Sequence, residues 1–129
     1  MALETDHAVT VLRYHLVLAT EYRRGVFTDE SARDVTERWL ELQNKFLIDK
    51  VSFLPDHVHV AVTVHSTVAP ADVVVVLMNS GQEFIWRQYP HLAVRARVKR
   101  LWQSSAYTGS FGDLTSNAVR AYMHRWSSG

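Results

Sequence analysis

Two histidines separated by a single valine, His57 and His59, open the segment HVHVAVTVH at 57–65. Side chains alternate between faces along an extended chain. His57 and His59 therefore share one face, while Val58, Val60, Val62 and Val64 share the other. One strand repeat sets the two imidazoles roughly 6.5–7 Å apart between Cα atoms. From there both can reach one divalent cation through bonds of about 2.1 Å. His65 has the same parity but lies too far along the strand to join them. On residue pattern alone, the pair can equally decorate a hydrated sheet face, and an isolated His-x-His more often does that.

A second chemical signal is the placement of charge. Residues 1–83 carry seven Lys and Arg against twelve Asp and Glu, whereas residues 84–129 carry seven against Asp113 alone. Arg87, Arg95, Arg97, Lys99 and Arg100 fall in a stretch that has no acidic side chain between Glu83 and Asp113. Eleven of the fourteen cations are Arg, whose planar fork suits phosphate and stacks on bases. A solvated basic loop and a nucleic-acid contact are both compatible with this pattern.

The elements that must position these residues follow from periodicity. AVTVLRYHLVLAT at 8–20 is apolar and β-branched, which predicts a strand covered on much of both faces. EYRRGVF follows as a turn with Arg23, Arg24 and Gly25. Thr28 or Asp29 caps a helix of roughly 18 residues, in which Val35, Trp39, Leu42 and Phe46 recur at three and four. KVSFL and HVHVAVTVH read as two strands joined at Pro55-Asp56. Pro70 opens a helix through about Tyr89, despite the strand-like run Val73 to Val76. Residues 90–100 read as a basic connection, and LWQSSAYTGSFG as a short strand and loop. Thr115 or Ser116 begins a last helix with Val119, Tyr122, Met123 and Trp126 on one face. Tyr122 on such an apolar face reads, by pattern alone, as a core aromatic. The order predicts an α+β layer structure, an antiparallel sheet with helices packed on one face. The two central strands are too close in sequence for a parallel crossover.

Composition narrows the chemistry. One hundred and twenty-nine residues make a single domain, 1–129. The absence of cysteine excludes disulfides, thiolate metal sites and a cysteine nucleophile. No signal peptide or membrane-spanning apolar stretch is legible, so a cytoplasmic location is expected.

PDHVHV at 55–60 resembles the HUH motif (histidine, bulky apolar residue, histidine) of single-tyrosine transposases of the insertion-sequence 200/605 group. YHLVLATEYRRGVFT at 14–28 is similar to that family's first strand and basic turn. LWQSSAYTGSFGDLT at 101–115 resembles the strand and loop before its catalytic helix, and AVRAYMHRW at 118–126 resembles the helix itself. The segments run in the family's order over nearly the whole chain.

The resemblance implies a ferredoxin/RRM-like HUH domain acting on single-stranded DNA ends that fold into hairpins. It places Tyr122 as the nucleophile and His57 and His59 as ligands of Mg²⁺ or Mn²⁺. It also makes Arg23, Arg24, Arg87, Arg95, Arg97, Lys99 and Arg100 candidates for DNA contacts. The implied chemistry leaves a covalent 5′-phosphotyrosine and a free 3′-hydroxyl. Homodimers with composite active sites, histidines from one subunit and tyrosine from the other, are implied as well. In the family a glutamine one helical turn after the tyrosine completes the metal site; here Trp126 stands there and cannot coordinate. A catalytically inactive relative that only binds hairpin or single-stranded DNA is the alternative. A replication or conjugation relaxase shares the chemistry but usually comes as a longer chain.

Overall fold

The computed structural model describes residues 10–110 together with Tyr122 and Met123. Strand β1 (Val11–Ala19) runs into a tight 3₁₀ turn at Glu21–Arg23, and helix α1 follows at Asp29–Glu41. Strands β2 (Phe46–Leu54) and β3 (His57–His65) form a hairpin across Pro55 and Asp56. Helix α2 (Pro70–Gln88), a short helix α3 (Pro90–Ala96) and strand β4 (Tyr107–Ser110) complete the order. The four strands make one sheet, β2-β3-β1-β4, antiparallel at every pairing. The expected α+β architecture is the one observed.

The valine alternation does what its parity demands. Val58, Val60, Val62 and Val64 join Leu16 and Leu18 of β1 in the main core, under α1 and α2. Trp39 of α1 donates its indole N–H to the Leu77 carbonyl at 3.0 Å, and Trp102 donates to the Met78 carbonyl at 3.0 Å. The two rings thus lie against one turn of α2, and Gly81 is what lets them in. A Cβ there would meet Cζ2 of Trp102 at 3.2 Å and of Trp39 at 3.4 Å. Alanine at 81 would gain about 1 kcal/mol of helix propensity. Crowding two indoles that their hydrogen bonds hold in place costs about 1–3 kcal/mol. Gly81→Ala is therefore expected to destabilise the fold by about 1 kcal/mol in urea unfolding; a more stable variant would show that the rings can yield.

Two elements differ from expectation. Helix α1 has 13 residues rather than about 18 and stops at Glu41. The Gln43 side chain ends it: its amide N–H donates to the Leu40 carbonyl, and its oxygen accepts the Ile48 N–H at 2.5 Å. Phe46 met the helical spacing but is the first residue of β2, buried in the same core from the sheet side. The basic connection holds a helix, α3, which buries Leu92 and Ala93 and ends on Arg97 in the left-handed conformation (φ 59°). Pro90 signals a helix start as well as a stop, and apolar residues behind it decide for the start. The last expected helix lies outside the described residues except for Tyr122 and Met123. These two are buried with Val17 and Ala19 on the sheet face opposite α1 and α2. Among the described residues, no helix is long and apolar enough to cross a membrane.

Candidate functional site

The antiparallel register places the candidate residues in rows. On β3 and β1, His57 faces Ala19, His59 faces Val17 and Ala61 faces His15. Directly opposed residues share a face, so the histidines, Val17 and Ala19 all stand on the side away from α1 and α2. Tyr122 packs on Val17 and Ala19 on that side. The structure thus brings Tyr122 to the histidine face, one strand from His57 and His59, within one chain. Its ring is nearly fully buried, with Tyr107 at 6.3 Å between centroids. The Ala19 N–H donates to the Tyr122 hydroxyl at 3.3 Å, and the hydroxyl donates to the Ser105 carbonyl at 2.9 Å.

Each histidine is oriented by a partner at Nδ1. Asp56 Oδ1 lies 2.7 Å from Nδ1 of His57, while the other oxygen of Asp56 takes Nε and Nη2 of Arg23 at 3.0 and 2.9 Å. A carboxylate accepts at Nδ1–H, which leaves the lone pair of His57 on Nε2. Nδ1 of His59 lies 2.9 Å from Nε2 of His15. When His59 donates through Nδ1, it too keeps a free Nε2. Burial, with His57 and His15 adding to it, lowers the pKa of His59 to about 4, and burial also lowers that of His15. His59 is therefore neutral at pH 7 and its lone pair is available. Both imidazoles are thus held through Nδ1, and their Nε2 atoms are the ones a cation would use. Among the described residues, no group of three or more His, Asp or Glu is placed to hold one ion; the pair offers two ligands. His65, eight residues along β3, lies roughly 27 Å away. It lines a groove of about 760 Å³ with Phe46, Val68 and Val73 at the other end of the sheet.

The turn after β1 is built to stay beside the histidines. Thr20 Oγ1 donates to the carbonyls of Arg24 and Asp56 at 2.6 and 3.0 Å, and the Val26 N–H donates to the Pro55 carbonyl at 2.8 Å. Tyr22 and Arg23 both take left-handed backbone (φ 54°), which costs side-chain-bearing residues of order 1–3 kcal/mol each. Glu21 is buried beneath the turn and accepts the backbone N–H of Lys99 at 3.0 Å and Arg100 Nε at 3.2 Å. Burial pushes its carboxyl up, but these hydrogen bonds outweigh burial and hold the pKa below its ordinary value. Glu21 thereby ties the 99–100 segment to the turn.

The seven basic candidates separate accordingly. Arg23, Arg24, Lys99 and Arg100 gather around Asp56 and Glu21, with Arg24 stacked 5.7 Å from the exposed Tyr22 ring. Arg87 pairs with Glu83 on α2 at 2.9 Å, and Arg95 is exposed on α3, both in the helical layer behind the sheet. Arg97 is exposed at the end of α3. Arg23, a candidate for a DNA contact, is ion-paired with Asp56 behind His57 and keeps part of its side chain exposed. Sequence reading passed over His15, Asp56 and Glu21. His15 was recoverable from β1 parity: Leu16 and Leu18 are core, so His15 faces the other way with Val17 and Ala19. Trp126 lies outside the described residues.

Comparison with known proteins identifies the family and the fold. The family model described as "Transposase IS200 like" matches residues 8–125. The ISDra2 transposase TnpA of Deinococcus radiodurans is 27% identical over 118 residues, spanning 89% of this chain and 81% of its own. A crystal structure of a candidate transposase from Deinococcus radiodurans R1 superposes with a TM-score of 0.86 at 23% identity, covering both chains completely. A REP-associated tyrosine transposase bound to a REP hairpin shares the fold at a TM-score of 0.52 and 12% identity, over 95% of this chain and 68% of its own. With a family match that runs from the first strand past Tyr122, the chain belongs to the IS200-like transposases.

Proposed function

We propose that this transposase cleaves and rejoins single-stranded DNA at ends that fold into hairpins, through a tyrosine–DNA intermediate. One observation carries the reading: Tyr122 stands on the same sheet face as His57 and His59, a single strand away. The Tyr122 oxygen attacks a phosphodiester in line, the new bond to phosphorus replaces that to the 3′-oxygen, and the phenol proton is lost as the 3′-oxygen gains one. The phenol is a serviceable leaving group, so a 3′-hydroxyl can reverse the step and join strands. A divalent ion, Mg²⁺ or Mn²⁺, would be held by Nε2 of His57 and His59 and would offset charge on the phosphate. Asp56 with Arg23, and His15, keep those two nitrogens turned outward. Before attack, the Tyr122 hydroxyl must leave the Ala19 N–H and the Ser105 carbonyl.

That hydrogen bonding also supports a second reading, a relative that binds hairpin or single-stranded DNA without cutting it. Incubation with labelled single-stranded hairpin DNA and Mn²⁺ separates the two. A protein–DNA adduct that survives denaturing gels supports cleavage; retarded native complexes with no adduct support binding alone.

DNA would approach over the turn and the 99–100 segment. Log-affinity for single strands should then fall linearly with log salt, by about 0.7 per phosphate contact. Replacing Lys99 and Arg100 with Ala should flatten the slope by about 1.4. Replacing Arg87 and Arg95 should change it far less, because they lie in the helical layer. Equal changes in both pairs would refute this path.

A further inference from the structure

We propose that Gln103 supplies the third protein ligand of the metal site, standing in for the family's helical glutamine where this chain has Trp126. The inference rests on the reading of His57 and His59 as metal ligands. Trp102 forms a β-bridge with Thr20 and turns its ring into the main core against Phe27 and Trp39. The next residue, Gln103, donates its backbone N–H to the Ala19 carbonyl at 2.9 Å and so continues the edge of the sheet. Alternation then sends its side chain to the face of Ala19, which is the histidine face. His57, Ala19 and Gln103 form one row across three neighbouring backbones, roughly 10 Å from first to last Cα. Between the two long side chains Ala19 contributes only a methyl, and Tyr122, which must swing away before attack, packs over it.

The amide itself shows the vacancy in its bonding. Gln103 is buried, 5% exposed, and its Nε2 has no hydrogen-bond partner. Buried amides without partners are rare because they forfeit their hydration for nothing. Rotation by half a turn exchanges the amide nitrogen and oxygen, so the unpartnered position can be taken by an oxygen. Mg²⁺ and Mn²⁺ both favour oxygen ligands, so an amide oxygen complements two nitrogens. A purely structural glutamine would be expected to satisfy its own amide.

The test reads metal directly, without turnover. Mn²⁺ is titrated into the DNA-free protein and followed by electron paramagnetic resonance, with melting temperatures measured alongside. Gln103→Leu is expected to weaken Mn²⁺ binding about tenfold while leaving the melting temperature unchanged or raised, since it removes an unpaired buried amide. Gln103→Glu, which puts an anionic oxygen at the same reach, is expected to tighten binding about tenfold. In the unaltered protein, the Gln103 side-chain amide resonance should be lost to paramagnetic broadening with the first equivalent of ion. The proposal is overturned if Gln103→Leu binds Mn²⁺ as the unaltered protein does while His57→Ala does not. Undiminished binding in a protein lacking both histidines overturns the reading of the histidine pair as well. Failure of the unaltered protein to take up Mn²⁺ at millimolar ion overturns the three-ligand site.

Discussion

Tyr122→Phe should eliminate the covalent protein–DNA adduct completely; Tyr107 packs on the same Val17–Ala19 cluster, so the variant also tells the two hydroxyls apart. The substitution removes one oxygen and keeps the ring, so the packing on β1 and Tyr107 is retained. It does release the Ala19 N–H and the Ser105 carbonyl from their shared partner. Loss of such a bond at a buried donor costs about 1–2 kcal/mol, so the variant should unfold at a lower urea concentration yet remain folded at 25 °C. Affinity for single-stranded DNA should stay within about twofold, since the basic turn and the 99–100 segment are untouched. The measurement pairs a denaturing-gel adduct assay with native binding and urea unfolding. A surviving adduct, or one mapped to Tyr107 or Tyr22, ends the assignment. The same variant tests composite sites in a dimer. Mixed with His57→Ala chains, it should regain adduct formation if histidines and tyrosine can come from different subunits, and stay inactive if each chain uses its own pair.

What the sequence revealed and what it hid have a common physical origin. Alternation over eight residues is a strong signal, so β3 and the faces of His57 and His59 could be read from HVHVAVTVH alone. Capping at Thr28 was equally legible, and the side chain does accept the Ser31 N–H at 3.2 Å. Element ends were not, because they depend on single side-chain bonds such as that of Gln43 to the Ile48 N–H. The basic residues were found by type, but type cannot say which cation has a partner. Only the fold shows Arg23 committed to Asp56, and Lys99 and Arg100 drawn to the turn by a carboxylate 78 positions from the Lys99 N–H. His15 and Gln103 belong to the same class of omission. His15 sits on β1 and Gln103 just after the Trp102–Thr20 bridge that precedes β4, and only the fold brings either to the face of the histidine pair.

The second large effect is expected at the histidines. Replacing His57 and His59 together with Ala should lower the cleavage rate on the order of a thousand-fold, since a metal ion at a phosphoryl centre is worth several kcal/mol of transition-state stabilisation. Binding of single-stranded DNA should persist, because the two imidazoles are neither the turn nor the basic segment. The single variants should differ in their side effects. His57→Ala leaves Asp56 still paired with Arg23, a charge balance that keeps the turn in place. His59→Ala instead strips His15 of its ring partner in a partly buried setting, where no ion pair takes over. Its melting temperature should therefore fall further than that of His57→Ala. Between metals, Mn²⁺ should support faster cleavage than Mg²⁺ at equal concentration. Imidazole nitrogen is a better match for Mn²⁺, whereas Mg²⁺ holds its water and prefers an all-oxygen shell. Adduct formation that is insensitive to chelator, or retained after both histidines are removed, would separate the tyrosine chemistry from the metal and leave His57 and His59 as a structural pair on a sheet face.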